Sequence, residues 1–134
     1  MSRQAVSLPG RHALYEKNTY APAIISGGFV FVSGQVGNRD DGSVVEDPAE
    51  QVAKAFENLG RVLDAAGCSF DDVIDVTTFH VDLANTAEHL WAPKQKHFGS
   101  APYPNWTAVG VAALVEGYIF EIKVIARLPE TKPT

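Results

Sequence analysis

The chain has 134 residues, a formal charge of −5 and an apolar fraction of 46%; it fits one core and is too short for two comfortable domains, so residues 1–134 are read as a single domain. Phosphate binding needs clustered Lys and Arg, whereas no short window here gathers three basic residues except, loosely, around Lys94 and Lys96, which argues against a nucleic-acid partner or an anionic membrane. Cys68 is the lone cysteine, MSRQAVSLPGRH contains no apolar leader, and the longest apolar run, Val109 to Val115, is too short to span a bilayer, so a cytoplasmic protein without disulfides is expected.

The first dozen residues alternate weakly and end at Pro9-Gly10, which suggests an edge strand or arm over residues 1–19. AIISGGFVFVSGQVG gives two strand-like runs, and Gly27-Gly28 supplies the positive φ values of a tight hairpin turn. After a turn at Asp40-Asp41-Gly42, DPAEQVAKAFENLGRVLDAAG predicts a helix. Asp47 caps it, Pro48 suits the first helical position, and Glu50 falls where a capping box places an acid. Val52, Ala55, Phe56, Leu59, Val62, Leu63 and Ala66 form its apolar stripe, and Gly67 is placed for a left-handed cap.

DDVIDVTTFHVDL reads as a strand, with Ile74, Val76, Thr78 and His80 on one face and Val73, Asp75, Thr77, Phe79 and Val81 on the other. A second helix is expected from about Asn85-Thr86 to Phe98, kinked or delayed by Pro93. WTAVGVAALVEGYIFEIKVIARLP reads as two strands joined by a turn at Glu116-Gly117. The order ββ(β)-α-β-α-ββ implies an α+β fold, with a sheet of five to six strands and two helices packed on one face.

In the last strand Tyr118, Phe120, Ile122, Val124 and Ala126 make one face, while Ile119 and Ile125 leave the other largely apolar too. Two helices cover only one side of such a sheet, and an exposed apolar face marks an association surface. A homo-oligomer is expected; the alternative is a monomer whose N-terminal arm covers the sheet.

FVFVSGQVG, then QVAKAFENLGRVLDAAGCSFDDVIDVTTFHVDL, then PYPNWTAVGVAALVEGYIFEIKVIA together resemble the Rid family (reactive intermediate deaminases, YjgF-like), from about Tyr20 to Arg127. The resemblance is closest to the YjgH-like branch, through Pro-Asn-Trp-Thr-Ala-Val-Gly. It implies a chorismate-mutase-like fold and a homotrimer with a small-molecule cleft at each subunit interface. Deaminases of the family hydrolyse imines or enamines to a keto acid and ammonia, with no metal and no cofactor. Carried over by residue, the catalytic carboxylate is Glu121 and a pocket tyrosine is Tyr20. The arginine that holds the substrate carboxylate falls on Trp106, or on Asn105 if the alignment slips by one, and neither is a cation. An asparagine of the second helix falls near Leu90 or Trp91 and is also missing.

Each of these residues has a plainer reading. Glu121 is either a proton-transfer group in a partly apolar setting, where desolvation raises a carboxyl pKa, or a solvated strand charge. Tyr20 and Trp106 are pocket-lining aromatics or packing residues; Trp106 offers an indole N–H and a π face to a neutral, aromatic or cationic ligand. Asn105 contributes amide hydrogen bonds or shapes the turn after Pro104. His12, His80, His89 and His97 do not make a metal set. Cys68, beside a helix C-terminus, is not a nucleophile, Gly27-Gly28 does not precede a helix, and SGQVG is not a hydrolase elbow. Two functions remain open. One is an imine/enamine hydrolase of weak or altered activity, whose substrate lacks a carboxylate or presents it elsewhere. The other is a non-catalytic trimeric small-molecule binder or sensor. The ribonuclease label attached to the family is disfavoured by the acidic charge.

Overall fold

A computed structural model describes residues 3–130; residues 1–2 and 131–134 of the one-domain reading lie outside the described residues. The elements in chain order are β1 (Gln4–Ala5), α1 (His12–Asn18), β2 (Ala23–Ser26), β3 (Phe29–Val32), α2 (Pro48–Ala65), β4 (Val73–Val81), α3 (Leu83–Thr86), α4 (Trp91–Phe98), β5 (Asn105–Val111) and β6 (Phe120–Arg127). They form a mixed six-stranded sheet in the order β1-β2-β3-β6-β4-β5. All pairings are antiparallel except β4 with β5.

Local chemistry accounts for much of this. Ser26 pairs with Phe29 across the β2–β3 hairpin, and Gly27 and Gly28 between them have φ of 61° and 83°, the left-handed region that side chains resist. Asp47 accepts from the Glu50 N–H at 3.0 Å at the start of α2, and Pro48 opens the helix. Gly67 closes it with φ 84°. The stripe of α2 is buried, and Phe56 stacks on Phe120 of β6 with centroids 6.0 Å apart. Phe98 of α4 meets both Phe56 and Trp106 of β5 edge-on. Phe120, Ile122, Val124 and Ala126 of β6 are all buried, so Glu121, Lys123 and Ile125 point to the opposite face.

Four expectations need correction. The last two strands are not a hairpin: β4 lies between β5 and β6, and the turn at Glu116-Gly117 sits in a connection that crosses it. Ile74 does not share the face of Val76. A register shift between Val73 and Asp75 leaves Val73 buried and Ile74 44% exposed, because one extra residue reverses the alternation. The second helix is broken into α3, a 3₁₀ turn at Ala87–Leu90, and α4. Residues 1–19, read as arm or edge strand, contain the edge strand β1 but also α1, which has no side-chain cap and is held by tertiary contacts.

Those contacts centre on Arg11, which is 2% exposed. Its guanidinium donates to Asn38 Oδ1 at 2.7 Å, Asn38 O at 3.1 Å, Asp40 Oδ1 at 3.0 Å and Asn58 Oδ1 at 3.3 Å. Asn58 of α2 donates in turn to the carbonyls of Val36 and Asn38. Arg61 also binds Asp40, at 2.7 Å. The bonds from Arg61 and then Arg11 hold the Asp40 carboxyl down to about 2. Their stabilisation is present above the ordinary 3.8 and is lost as pH falls through about 2. Among the described residues no helix is long and apolar enough to cross a membrane.

Asn58→Leu leaves the Arg11 guanidinium and two loop carbonyls short of partners. It should cost roughly 2–4 kcal/mol, read as a lower urea midpoint at unchanged slope. A midpoint equal to wild type would show that the network does not stabilise the fold.

Candidate functional site

The alternation of β6 places Glu121 opposite the buried Phe120, directly across from Phe79 of β4. Glu121 is half-buried, and burial lifts its carboxyl above the ordinary 4.5, with Lys123 pulling it the other way. Among the described residues its carboxylate accepts no hydrogen bond, so desolvation is not offset by a partner.

The segment Ser33-Gly34-Gln35, just after β3, builds the wall beside it. Gln35 N–H donates to Ile122 O at 2.8 Å and Ile122 N–H returns a bond to Gln35 O at 2.9 Å, which extends the sheet along β6. Between these residues, a Cβ on Gly34 would lie 2.5 Å from Glu121 Oε2 and 2.6 Å from its Cδ. The glycine leaves room for the Glu121 side chain in this position, and its φ is not in the left-handed region. Ser33 Oγ donates to Ala21 O at 2.7 Å and so fixes the chain next to Tyr20.

Tyr20 is 49% exposed and packs edge-on against Tyr15, with centroids 4.9 Å apart. Its phenol is raised above 10.0 by burial, then by Tyr15 and by the negative charge of Glu121. Tyr20 stands between two shallow cavities of about 320 and 300 Å³, one with His12 and Tyr15, the other with Asn38 and Tyr118. Neither cavity is lined by Glu121, which acts on Tyr20 through its charge alone.

Asn105 and Trp106 are adjacent on β5 and so face opposite ways. Asn105 is on the Glu121 side but pairs with Asp75, four β4 residues from Phe79, about 13 Å at the usual rise. Its Nδ2 donates to Asp75 Oδ1 at 2.7 Å. Trp106, paired with Val76, faces the helices. Its Nε1–H donates to Thr78 Oγ1 at 3.3 Å, and that oxygen lies 2.9 Å from Nε2 of the fully buried His80. Burial lowers the His80 pKa and so favours the neutral ring, in which Nε2 accepts from the Thr78 hydroxyl or donates to it according to the tautomer. A small cleft holding both Trp106 and Glu121 would have to draw them from different chains.

The sequence reading missed Gly34, whose role depends on which side chain lies over it, and the Trp106–Thr78–His80 chain. The only prior signal for Gly34 was its place in FVFVSGQVG, one of the stretches that carry the family resemblance. Burial, with Asp72 adding, raises the Cys68 thiol. Among the described residues no three His, Cys, Asp or Glu side chains are grouped to hold a metal.

A family profile described as Endoribonuclease L-PSP matches residues 10–128. The chain is 55% identical over 130 residues to the RutC family protein YjgH of Escherichia coli (strain K12), covering 97% of this chain and 98% of that one. It is 32% identical over 111 residues to the 2-iminobutanoate/2-iminopropanoate deaminase of Homo sapiens, covering 80% and 78%. A solved structure of protein YJGH superposes with a TM-score of 0.91 at 54% identity, covering 98% of this chain and all of that one.

Carboxyl NMR of the wild type should show Glu121 titrating above 4.5. Gly34→Ala should push the carboxylate outward into solvent and bring the midpoint back down. A Glu121 midpoint unmoved by the alanine would mean that Gly34 does not set its environment.

Proposed function

The chain belongs to the endoribonuclease L-PSP family, known also as Rid, and from that membership we propose that it forms a one-domain homotrimer binding a small molecule between subunits, with Glu121 as a weak or altered imine/enamine hydrolase centre. The observation that carries the reading is the setting of Glu121: half-buried, unpaired among the described residues, raised in pKa and near enough to Tyr20 to raise its phenol. Phe31, Phe79, Val109 and Ile125 on the same sheet face, with Phe31 43% exposed, support burial of that face by other copies of the chain.

In the hydrolysis, Glu121 takes a proton from water as its oxygen adds to the imine carbon, and returns that proton to the imine nitrogen, giving the carbinolamine. Glu121 then passes the hydroxyl proton to the amino nitrogen, the C–N bond breaks, its electron pair leaves with ammonia, and the carbonyl forms. Tyr20 and Asn105 are proposed to bind the ligand, Asn105 through the amide oxygen left free by its bond to Asp75. Trp106 lines the cleft from a neighbouring chain. No cofactor is needed for this step, and a cytoplasmic setting is proposed with it.

A non-catalytic binder is the second reading. It is favoured by Trp106 itself, because the position that the resemblance assigns to a carboxylate-binding arginine carries an indole. A desolvated substrate carboxylate without that pair loses about 3 kcal/mol, roughly a hundredfold.

Sedimentation equilibrium should give three times the 14.4 kDa chain mass; a monomer at micromolar concentration would contradict the assembly. With an amino-acid oxidase generating iminopropanoate, the wild type should release keto acid roughly a hundredfold more slowly than an arginine-bearing deaminase. Trp106→Arg should gain part of that activity, and adding Glu121→Gln should remove the gain. Wild-type activity equal to the arginine-bearing enzyme would refute this account of the pocket, and a folded Trp106→Arg variant with no gain would favour the binder.

A further inference from the structure

Both tryptophans of the chain, Trp91 and Trp106, converge on Lys94. Its Nζ lies 4.3 Å from the Trp106 ring centroid and 5.4 Å from that of Trp91. The i, i+3 spacing on α4 brings Trp91 and Lys94 together, and the Phe98 contact that docks α4 on β5 brings in Trp106. The ammonium has no carboxylate partner among the described residues.

An ammonium carries three N–H donors. Resting on π faces satisfies its charge in part but fills none of those donors with an oxygen. Trp91 is 61% exposed, so its ring is open to a stacking ligand. A cation with free donors beside an exposed indole is complementary to one kind of ligand: a planar group that stacks on the ring and carries an anionic oxygen for the ammonium.

We propose that Lys94, with Trp91 and Trp106, binds the carboxylate of a small planar or aromatic carboxylic acid. The site shares Trp106 with the function proposed above and names the charge and shape of its ligand. The positive charge stands on α4, over the ring of Trp106, instead of on β5, so it serves an anion set off from the position a short α-imino acid would occupy. The indole N–H of Trp106 is directed to Thr78 and its ring lies under Lys94 and against Phe98, so Trp106 seats the ammonium and the exposed ring of Trp91 is the surface left for the ligand.

Intrinsic fluorescence reports this site directly, because the chain's two tryptophans both flank Lys94. The probes are phenylacetate and its neutral isostere phenylacetamide, titrated into the full chain. Phenylacetate should give a saturable change with an affinity about tenfold above that of the amide. Lys94→Met, which keeps the aliphatic stem, should bring phenylacetate to the amide's level, and Lys94→Arg should retain the preference. Thermal unfolding of both variants confirms that they are folded. The absence of a saturable change, equal binding of acid and amide, or an undiminished preference in folded Lys94→Met would each overturn the proposal. The readout needs no turnover, so it stands or falls separately from hydrolysis at Glu121.

Discussion

The alternation of β6 is the constraint on which the remainder depends. Phe120, Ile122, Val124 and Ala126 are drawn to one face by the buried stripe of α2. Phe120, Ile122 and Val124 each contribute about 1.5–3 kcal/mol on burial, and Ala126 less, so together they fix the register of the strand against any preference of the residues between. Glu121 is thereby held on the other face, in a half-buried place that an isolated carboxylate would not choose. The same period carries the neighbouring strands: Phe79 and Val109 share the face of Glu121, and Thr78, His80 and Trp106 share that of Phe120.

The wall around Glu121 follows from backbone proximity. The chain after β3 runs along β6 closely enough that a Cβ at Gly34 would meet the Glu121 side chain where it now lies, and Ser33 and Gln35 tie that segment to Ala21 and Ile122. One short stretch therefore places Tyr20, removes a Cβ from the path of Glu121 and continues the sheet. The buried polar network of Arg11, Asn38 and Asn58 holds the far end of the same loop to α1 and α2.

What was legible in the sequence was local. The cap of α2, the Gly27-Gly28 hairpin and the two faces of β6 each follow from a few adjacent residues. The parallel pairing of β4 with β5 was not legible, because it depends on a crossover that no local pattern encodes. The bulge near Ile74 inverted two residues of an otherwise correct alternation, and α1 is too short to declare itself without Arg11. In the candidate site, the family resemblance pointed to Glu121 and Tyr20, and the charge of Glu121 is near enough to raise the Tyr20 phenol. The same resemblance drew attention to Trp106 on β5 and away from Lys94, because the lysine reaches the indole from a different element.

Completion of the Glu121 face by another copy of the chain is what the function proposed for this protein requires. A crystal structure of the assembled protein tests it most directly. It should show the Glu121 carboxylate in a cleft closed by a second chain, with that chain's β5 edge and the indole of its Trp106 on the opposite wall. Glu121 standing in open solvent, remote from any neighbouring chain, would contradict it.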